Sequence, residues 1–159
     1  VLDGAASEWI QIRPGEVDMT SDIDWKMLRH KATEAAAHAY APYSGFSVGA
    51  AALVDDHRMV AGCNVENVSY GLGLCAECAV VCALHSSGGG KLIALSCVDV
   101  AGDVLMPCGR CRQVLMEHGG PDLLIDHPLG PRPLSELLPD AFGPQDLARR
   151  DDRAHEETP

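Results

Sequence analysis

The sequence predicts an α/β layered domain, with helices packed on a mixed sheet. Three observations lead there. The chain has 159 residues, enough for one domain with a real core and too few for two comfortable ones. Apolar residues make up 47% of it, as in a globular protein and unlike a disordered one. Segments of helical and strand-like pattern follow one another in the order helix, strand, strand, helix, strand, helix, strand, which suits a sheet covered by helices.

The elements read as follows. Asp22 can cap a first helix running to about Tyr40, with Trp25, Leu28, Ala32, Ala35, Ala36 and Ala39 along its apolar stripe. Pro42 and Gly45 then make a turn. Residues 47–54 are apolar, small and partly β-branched, and read as a buried strand; residues 59–65 read as its partner across the turn Asp55-Asp56-His57-Arg58. Residues 75–85, rich in Ala, Val and Leu, read as a helix, and residues 92–100 as a strand. Pro107 suits a helix start at Cys108, and residues 109–118 carry helical spacing until Gly119-Gly120-Pro121 stops them. Residues 123–125 form a short strand. The tract Gly88-Gly89-Gly90-Lys91 is a turn rather than a phosphate loop, because Leu92 stands where Ser or Thr is needed and a strand follows in place of a helix.

Residues 1–18 have neither a cationic start nor an apolar stretch and do not read as a signal peptide. Met19-Thr20-Ser21-Asp22 looks like a natural beginning, so residues 1–18 are expected to be a leader or expression remnant, residues 19–147 the domain, and residues 148–159 a charged flexible tail.

Charge and cysteine content narrow the function. With 12 Lys plus Arg against 23 Asp plus Glu, the net charge is −11. Proteins that grip polynucleotides present a basic face to the phosphates, so a nucleic-acid partner is not expected. No apolar run reaches the length of a membrane span. Seven cysteines, an odd number, point to a reducing cytoplasm and to metal or core roles. The sequon Asn67-Val68-Ser69 then has no meaning as a glycosylation site. The seven histidines match no ligand spacing.

The chemistry concentrates in Cys75-Ala76-Glu77 and Pro107-Cys108-Gly109-Arg110-Cys111. A helix N-terminus lowers a thiol pKa and favours the thiolate that binds metal. Cysteines at i and i+3 in a first turn can address one ion, and a third from another helix start completes three ligands. That leaves an open position for water, as a catalytic zinc requires. Glu77, two residues past a ligand, can reach such a water. Two other readings stand beside this one. The pairs Cys75/Cys78 and Cys108/Cys111 form the four-cysteine pattern of a closed, noncatalytic zinc module, although the intervening residues 79–107 exceed the usual ~15–20. Cys78 and Cys82, one helical turn apart, can equally face the core with no metal at all.

These motifs resemble the small homotetrameric zinc-dependent cytidine deaminases. The resemblance covers residues 24–147: Tyr43-Ser44-Gly45-Phe46-Ser47-Val48-Gly49-Ala50, Asn64-Val65-Glu66-Asn67, Cys75-Ala76-Glu77, Pro107-Cys108-Gly109-Arg110-Cys111-Arg112-Gln113 and Leu138-Pro139-Asp140-Ala141-Phe142-Gly143-Pro144. Cys-x-Glu followed by Pro-Cys-x-x-Cys is the three-cysteine form of the zinc-deaminase signature. The resemblance implies a three-layer α/β/α sandwich with a mixed five-stranded sheet. It implies one zinc per chain on Cys75, Cys108 and Cys111, with Glu77 shuttling protons. Asn64 and Glu66 would clamp the ribose, the backbone of Val65 and Ala76 would offer further contacts, and Phe46 would stack in the pocket. Phe142 would reach a neighbouring subunit's site in a homotetramer. Tyr70 is a weaker pocket candidate. The implied reaction is hydrolytic deamination of cytidine and deoxycytidine in pyrimidine salvage. A deaminase of a related nucleoside, such as a nucleoside antibiotic, is the nearest alternative. One position departs from the pattern: many relatives carry Arg or Gln directly after Cys-Ala-Glu, where this chain has Cys78. The two helix N-termini and Arg112 are then expected to offset the thiolate charge.

Overall fold

A computed structural model describes residues 23–147. The leader at 1–18, the cap at Asp22 and the tail at 148–159 lie outside the described residues. Helix α1 spans Trp25–Ala36, and strands β1 and β2 span Val48–Val54 and Met59–Cys63. A single 3₁₀ turn, Tyr70–Leu72, precedes helix α2, Ala76–Ser86. Strand β3, Leu92–Asp99, and helix α3, Gly109–Gly119, follow. Two short strands, β4 (Leu124–Ile125) and β5 (Arg132–Pro133), and a single turn of helix, α4 (Leu134–Leu137), complete the fold.

The strands form one five-stranded sheet in the order β2-β1-β3-β4-β5. β1 pairs antiparallel with both β2 and β3, β3 pairs parallel with β4, and β4 pairs antiparallel with β5. The sheet is therefore mixed, as expected. Strand alternation builds its two faces. Ala50, Ala52 and Val54 pack with Val80 and Leu84 of α2 and Leu115 of α3. Ala51, Ala94 and Val98 point the other way and pack with Leu28 and Ala32 of α1. The result is the three-layer α/β/α sandwich. Small residues let the helices sit close: a Cβ on Gly49 would stand 1.9 Å from the carbonyl oxygen of Ala32, and one on Gly62 would stand 2.5 Å from the Cβ of Ala79.

The first helix departs from expectation at both ends. Asp24 is its cap, accepting a hydrogen bond from the Met27 amide at 2.9 Å. The alanine-rich stripe suggested continuation to Tyr40, but the helix stops at Ala36. Tertiary pairing takes the backbone away from it: the Tyr40 amide donates to Asn64, and the Glu66 amide donates to Tyr40. This pairing carries the chain to the edge where the site lies.

Under α1 a polar cluster is fully hydrogen-bonded. Asp126, with no exposed surface, accepts from Arg29 Nε at 2.7 Å, from Arg29 Nη2 at 2.8 Å and from Ser96 Oγ at 2.8 Å. Arg29→Ala leaves a buried carboxylate with one neutral donor. Breaking such a pair from one side is expected to cost on the order of 3 kcal/mol in urea unfolding, and a loss below about 1 kcal/mol would mean the pair acts like an exposed one.

Candidate metal centre and cleft

Pairing brings three chain segments to one edge of the sheet. β1 begins there, β2 ends there and β3 ends there, because β1 runs antiparallel to both neighbours. The segment after β3 folds back, with the Leu105 amide donating to the carbonyl of Cys97 at 2.8 Å. Helices α2 and α3 therefore both start at this edge, on the same face of the sheet.

Cys75 is the N-cap of α2 and Cys108 the N-cap of α3, and neither side chain caps its helix. Ser, Thr, Asp or Asn would stabilise these ends better. The sulfurs instead turn toward each other, 3.9 Å apart. Cys111, in the first turn of α3 and fully buried, completes a group whose three Sγ atoms lie within 4.8 Å of one another. A tetrahedral zinc with ~2.3 Å Zn–S bonds needs sulfurs about 3.8 Å apart, so the donor set fits that ion. Cys78, half-buried on α2, is not in the group.

The electrostatics of the cluster follow from crowding. Burial raises the Cys75 thiol, helped by the neighbouring Cys108 and Glu77. Burial likewise raises Cys111, reinforced by Glu77. Burial also acts on Cys108, but hydrogen bonds from the backbone and thiol of Cys111 and from Cys75 hold it below the ordinary thiol value. Without a cation, one of the three sulfurs holds a negative charge readily and the other two resist it. A divalent ion reverses that balance.

Glu77, in the first turn of α2, is only 4% exposed. It lines a cleft of about 600 Å³ together with Phe46, Asn64, Glu66, Cys75 and Cys108. Asn64 and Glu66 are locked by the chain around them. Asn64 Oδ1 accepts from the Val48 amide at 2.8 Å, and its Nδ2 donates to the Phe46 carbonyl at 3.0 Å. Glu66 Oε2 accepts from the amides of Tyr43 and Ser44 at 2.9 and 3.2 Å, and its Oε1 accepts from the Ser44 hydroxyl. The hydroxyl first, then the Tyr43 amide, hold the Glu66 carboxyl below the usual carboxylate range. Val65 pairs both its amide and its carbonyl with Leu74, at 2.9 Å each, which leaves the carbonyl's second lone pair for any ligand. Ala76 lines the cleft as the first residue of α2, where the amide has no partner within the helix.

Phe142 is not brought to this cleft. It is 60% exposed and lines a separate cavity of about 510 Å³ with Met116, Pro121 and Leu138, its carbonyl accepting from Gln113 Nε2 at 2.8 Å. Tyr70 does line the cleft, at its rim. Two participants escaped the sequence reading. Ser44 fastens Glu66; its place beside Tyr43 in the first motif was the available signal. Arg110 lines the cleft and stands against the sulfurs, between Cys108 and Cys111 in sequence. Arg112, expected in that role, is turned away: its Nε donates to the Pro107 carbonyl and its Nη1 to that of Leu137, both at 2.8 Å.

Comparison with known proteins agrees with this geometry. The family described as the cytidine and deoxycytidylate deaminase zinc-binding region matches residues 23–125. A cytidine deaminase of Mycobacterium tuberculosis is 76% identical over 128 residues, covering 80% of this chain and 96% of that protein. The crystal structure of cytidine deaminase from Mycobacterium tuberculosis superposes with a TM-score of 0.76 at 77% identity, covering 77% of this chain and 99% of that one. The corresponding structure from Mycobacterium leprae gives a TM-score of 0.74 at 55% identity, covering 75% and 100%. With a zinc-binding region matched over most of its folded length and a three-sulfur group at its centre, the chain belongs to the cytidine and deoxycytidylate deaminase family.

Proposed function

We propose that the chain hydrolyses the 4-amino group of cytidine and deoxycytidine, giving uridine or deoxyuridine and ammonia. Zinc is held by Cys75, Cys108 and Cys111. The observation that supports this most is the meeting of three sulfurs from two helix starts with the buried carboxylate of Glu77 in one cleft. When bound, zinc lowers the pKa of a coordinated water toward ~7 and makes hydroxide available at neutral pH. The remaining work falls to the chain. Glu77 takes the proton of the attacking water and delivers it to N3 of the cytosine ring as oxygen adds to C4. It then takes the proton of the new C4 hydroxyl and passes it to the amine as the C4–N bond breaks and the C4=O bond forms, so that water and cytidine become uridine and ammonia. Asn64 and Glu66, fixed by backbone hydrogen bonds, receive the sugar hydroxyls, and Phe46, 52% exposed at the cleft, offers a face to the base.

A free nucleoside is the favoured substrate, because the net charge of −11 disfavours a polyphosphate backbone. Among the described residues no helix is long and apolar enough to cross a membrane. Seven cysteines without a disulfide suit the reducing cytoplasm. The direct test is ammonia release from cytidine by the zinc-loaded protein, together with loss of cytidine absorbance. Zinc-replete, folded protein that turns over neither cytidine nor deoxycytidine would overturn the proposal.

The active form is a homotetramer with shared sites. The cleft of one chain is wide and lined by exposed apolar groups, among them Phe46, Val65, Tyr70 and Leu74. Phe142 is exposed and outside its own chain's cleft, where a neighbour could take it up. Phe142→Ala is expected to raise KM and lower kcat/KM without unfolding, and truncation after Leu147 to be tolerated. Mixing Phe142→Ala chains with inactive Glu77→Gln chains tests the sharing: restored activity should follow random assortment of the two. Activity independent of the mixing ratio, or full activity in a monomer, would rule it out.

A further inference from the structure

Three thiolates and one divalent zinc leave a net charge of about −1 before any water is activated. Two helix N-termini point at this charge, each carrying roughly half a positive charge. The side chain that meets the sulfurs is that of Arg110. Its Nη2 lies 3.8 Å from Cys75 Sγ and 3.9 Å from Cys78 Sγ, and it donates to the Gly73 carbonyl at 3.1 Å. Among the described residues no other cationic side chain contacts a sulfur of the cluster.

We propose that Arg110 is the positioning residue of the metal cluster, balancing its charge and fixing Cys75 of α2 against Cys108 and Cys111 of α3. The inference rests on the zinc assignment above. Arg110 belongs to α3, between two ligands of that helix, yet its guanidinium reaches across to the ligand of the other helix and to the segment that leads into it. A planar guanidinium can offer several N–H groups from one fixed position, here to a sulfur and a carbonyl together. Cys78 fits the same arrangement. Its side chain is short and leaves room for the guanidinium, which rests against its sulfur. The charge that position 78 does not supply comes from position 110.

The guanidinium holds the Cys75 sulfur in place for the metal and offsets the negative charge of the cluster, and its N–H donation lowers the energy of the sulfur lone pairs. Substitution of a group that supports a ligand typically costs about 10- to 100-fold in metal affinity or activity. Arg110→Ala is therefore expected to speed zinc transfer to a chelator by about 10- to 100-fold. It should also shift the thiolate-to-metal charge-transfer bands of the cobalt-substituted protein to lower energy. It should lower kcat more than it raises KM, since the residue acts through Cys75. Arg110→Lys should recover part of each effect. Cys78→Arg in the Arg110→Ala background should recover more, because a guanidinium from position 78 can enter the same space.

The cobalt spectrum and chelator kinetics on folded, oligomeric protein test this. Arg110→Ala with parental band energies and parental zinc release would overturn it. So would a loss in Arg110→Ala that neither Arg110→Lys nor Cys78→Arg repairs, which would make the residue a packing element. A parent protein with no thiolate–cobalt bands would remove the zinc assignment itself, and this inference with it.

Discussion

Glu77→Gln should keep its zinc and its fold and lose turnover by at least about 10⁴, the upper end of what one general acid–base group contributes. The amide has the shape of the carboxylate but cannot carry a proton. In the proposed reaction Glu77 has at least two transfers to perform in one cycle, first to N3 and then to the leaving amine. Its surroundings suit that use. The side chain is nearly buried in the first turn of α2, close in sequence to Cys75, and among the described residues nothing donates a hydrogen bond to its carboxylate. Replacement by Gln also removes one negative charge from beside three sulfurs, and Glu77 raises the pKa of both Cys75 and Cys111. Zinc retention is thus expected to be undisturbed by charge. Metal content and turnover with cytidine check the prediction together. A zinc-replete Glu77→Gln protein within about tenfold of the parent would take Glu77 out of the chemistry.

The sequence was most readable where one physical rule governed a segment. The continuous run of small apolar residues over 47–54 and the apolar helical pattern of residues 75–85 gave the central layers, because burial on both sheet faces leaves few alternatives. Pro107 marked the approach to α3, which begins at Gly109 behind its cap Cys108. Where two rules competed, the reading failed. The alanines up to Ala39 favour a helix, but pairing of Tyr40 with Asn64 and Glu66 won. β5 is a two-residue edge strand containing Pro133, and α4 is a single turn, too short for either period to register. At the site, the ligand set and Glu77 could be proposed from spacing and resemblance, whereas the choice between Arg110 and Arg112 depended on which way α3 presents each side chain. Arg112 is consumed by two backbone carbonyls, which no local pattern signals. Phe142 marks a different boundary: its proposed role lies in another chain's cleft, beyond what one chain's packing encodes.

The four cysteines at positions 75, 78, 108 and 111 are expected to divide sharply under substitution. Cys75→Ala, Cys108→Ala and Cys111→Ala should each lose the metal and with it all measurable deamination, whereas Cys78→Ala should still bind one zinc per chain. The geometry supplies the reason. Cys75 and Cys108 occupy cap positions where their sulfurs do nothing for the helices, and they meet at 3.9 Å over the buried sulfur of Cys111. With one of the three removed, two thiolates remain beside Glu77 in a half-buried cluster that already resists charge on Cys75 and Cys111. Two ligands cannot offset that cost as three can. Cys78 stands outside the group, with its sulfur against the Arg110 guanidinium, so its loss removes a contact and no ligand. The fold should survive in all four variants, since the sandwich rests on the apolar clusters on both sheet faces and not on the metal. Elemental analysis of the purified proteins decides the matter. If Cys78→Ala loses zinc as completely as Cys75→Ala, all four sulfurs are ligands. The centre would then be closed to water, as in a noncatalytic module, and the open coordination position on which the hydrolysis depends would be gone.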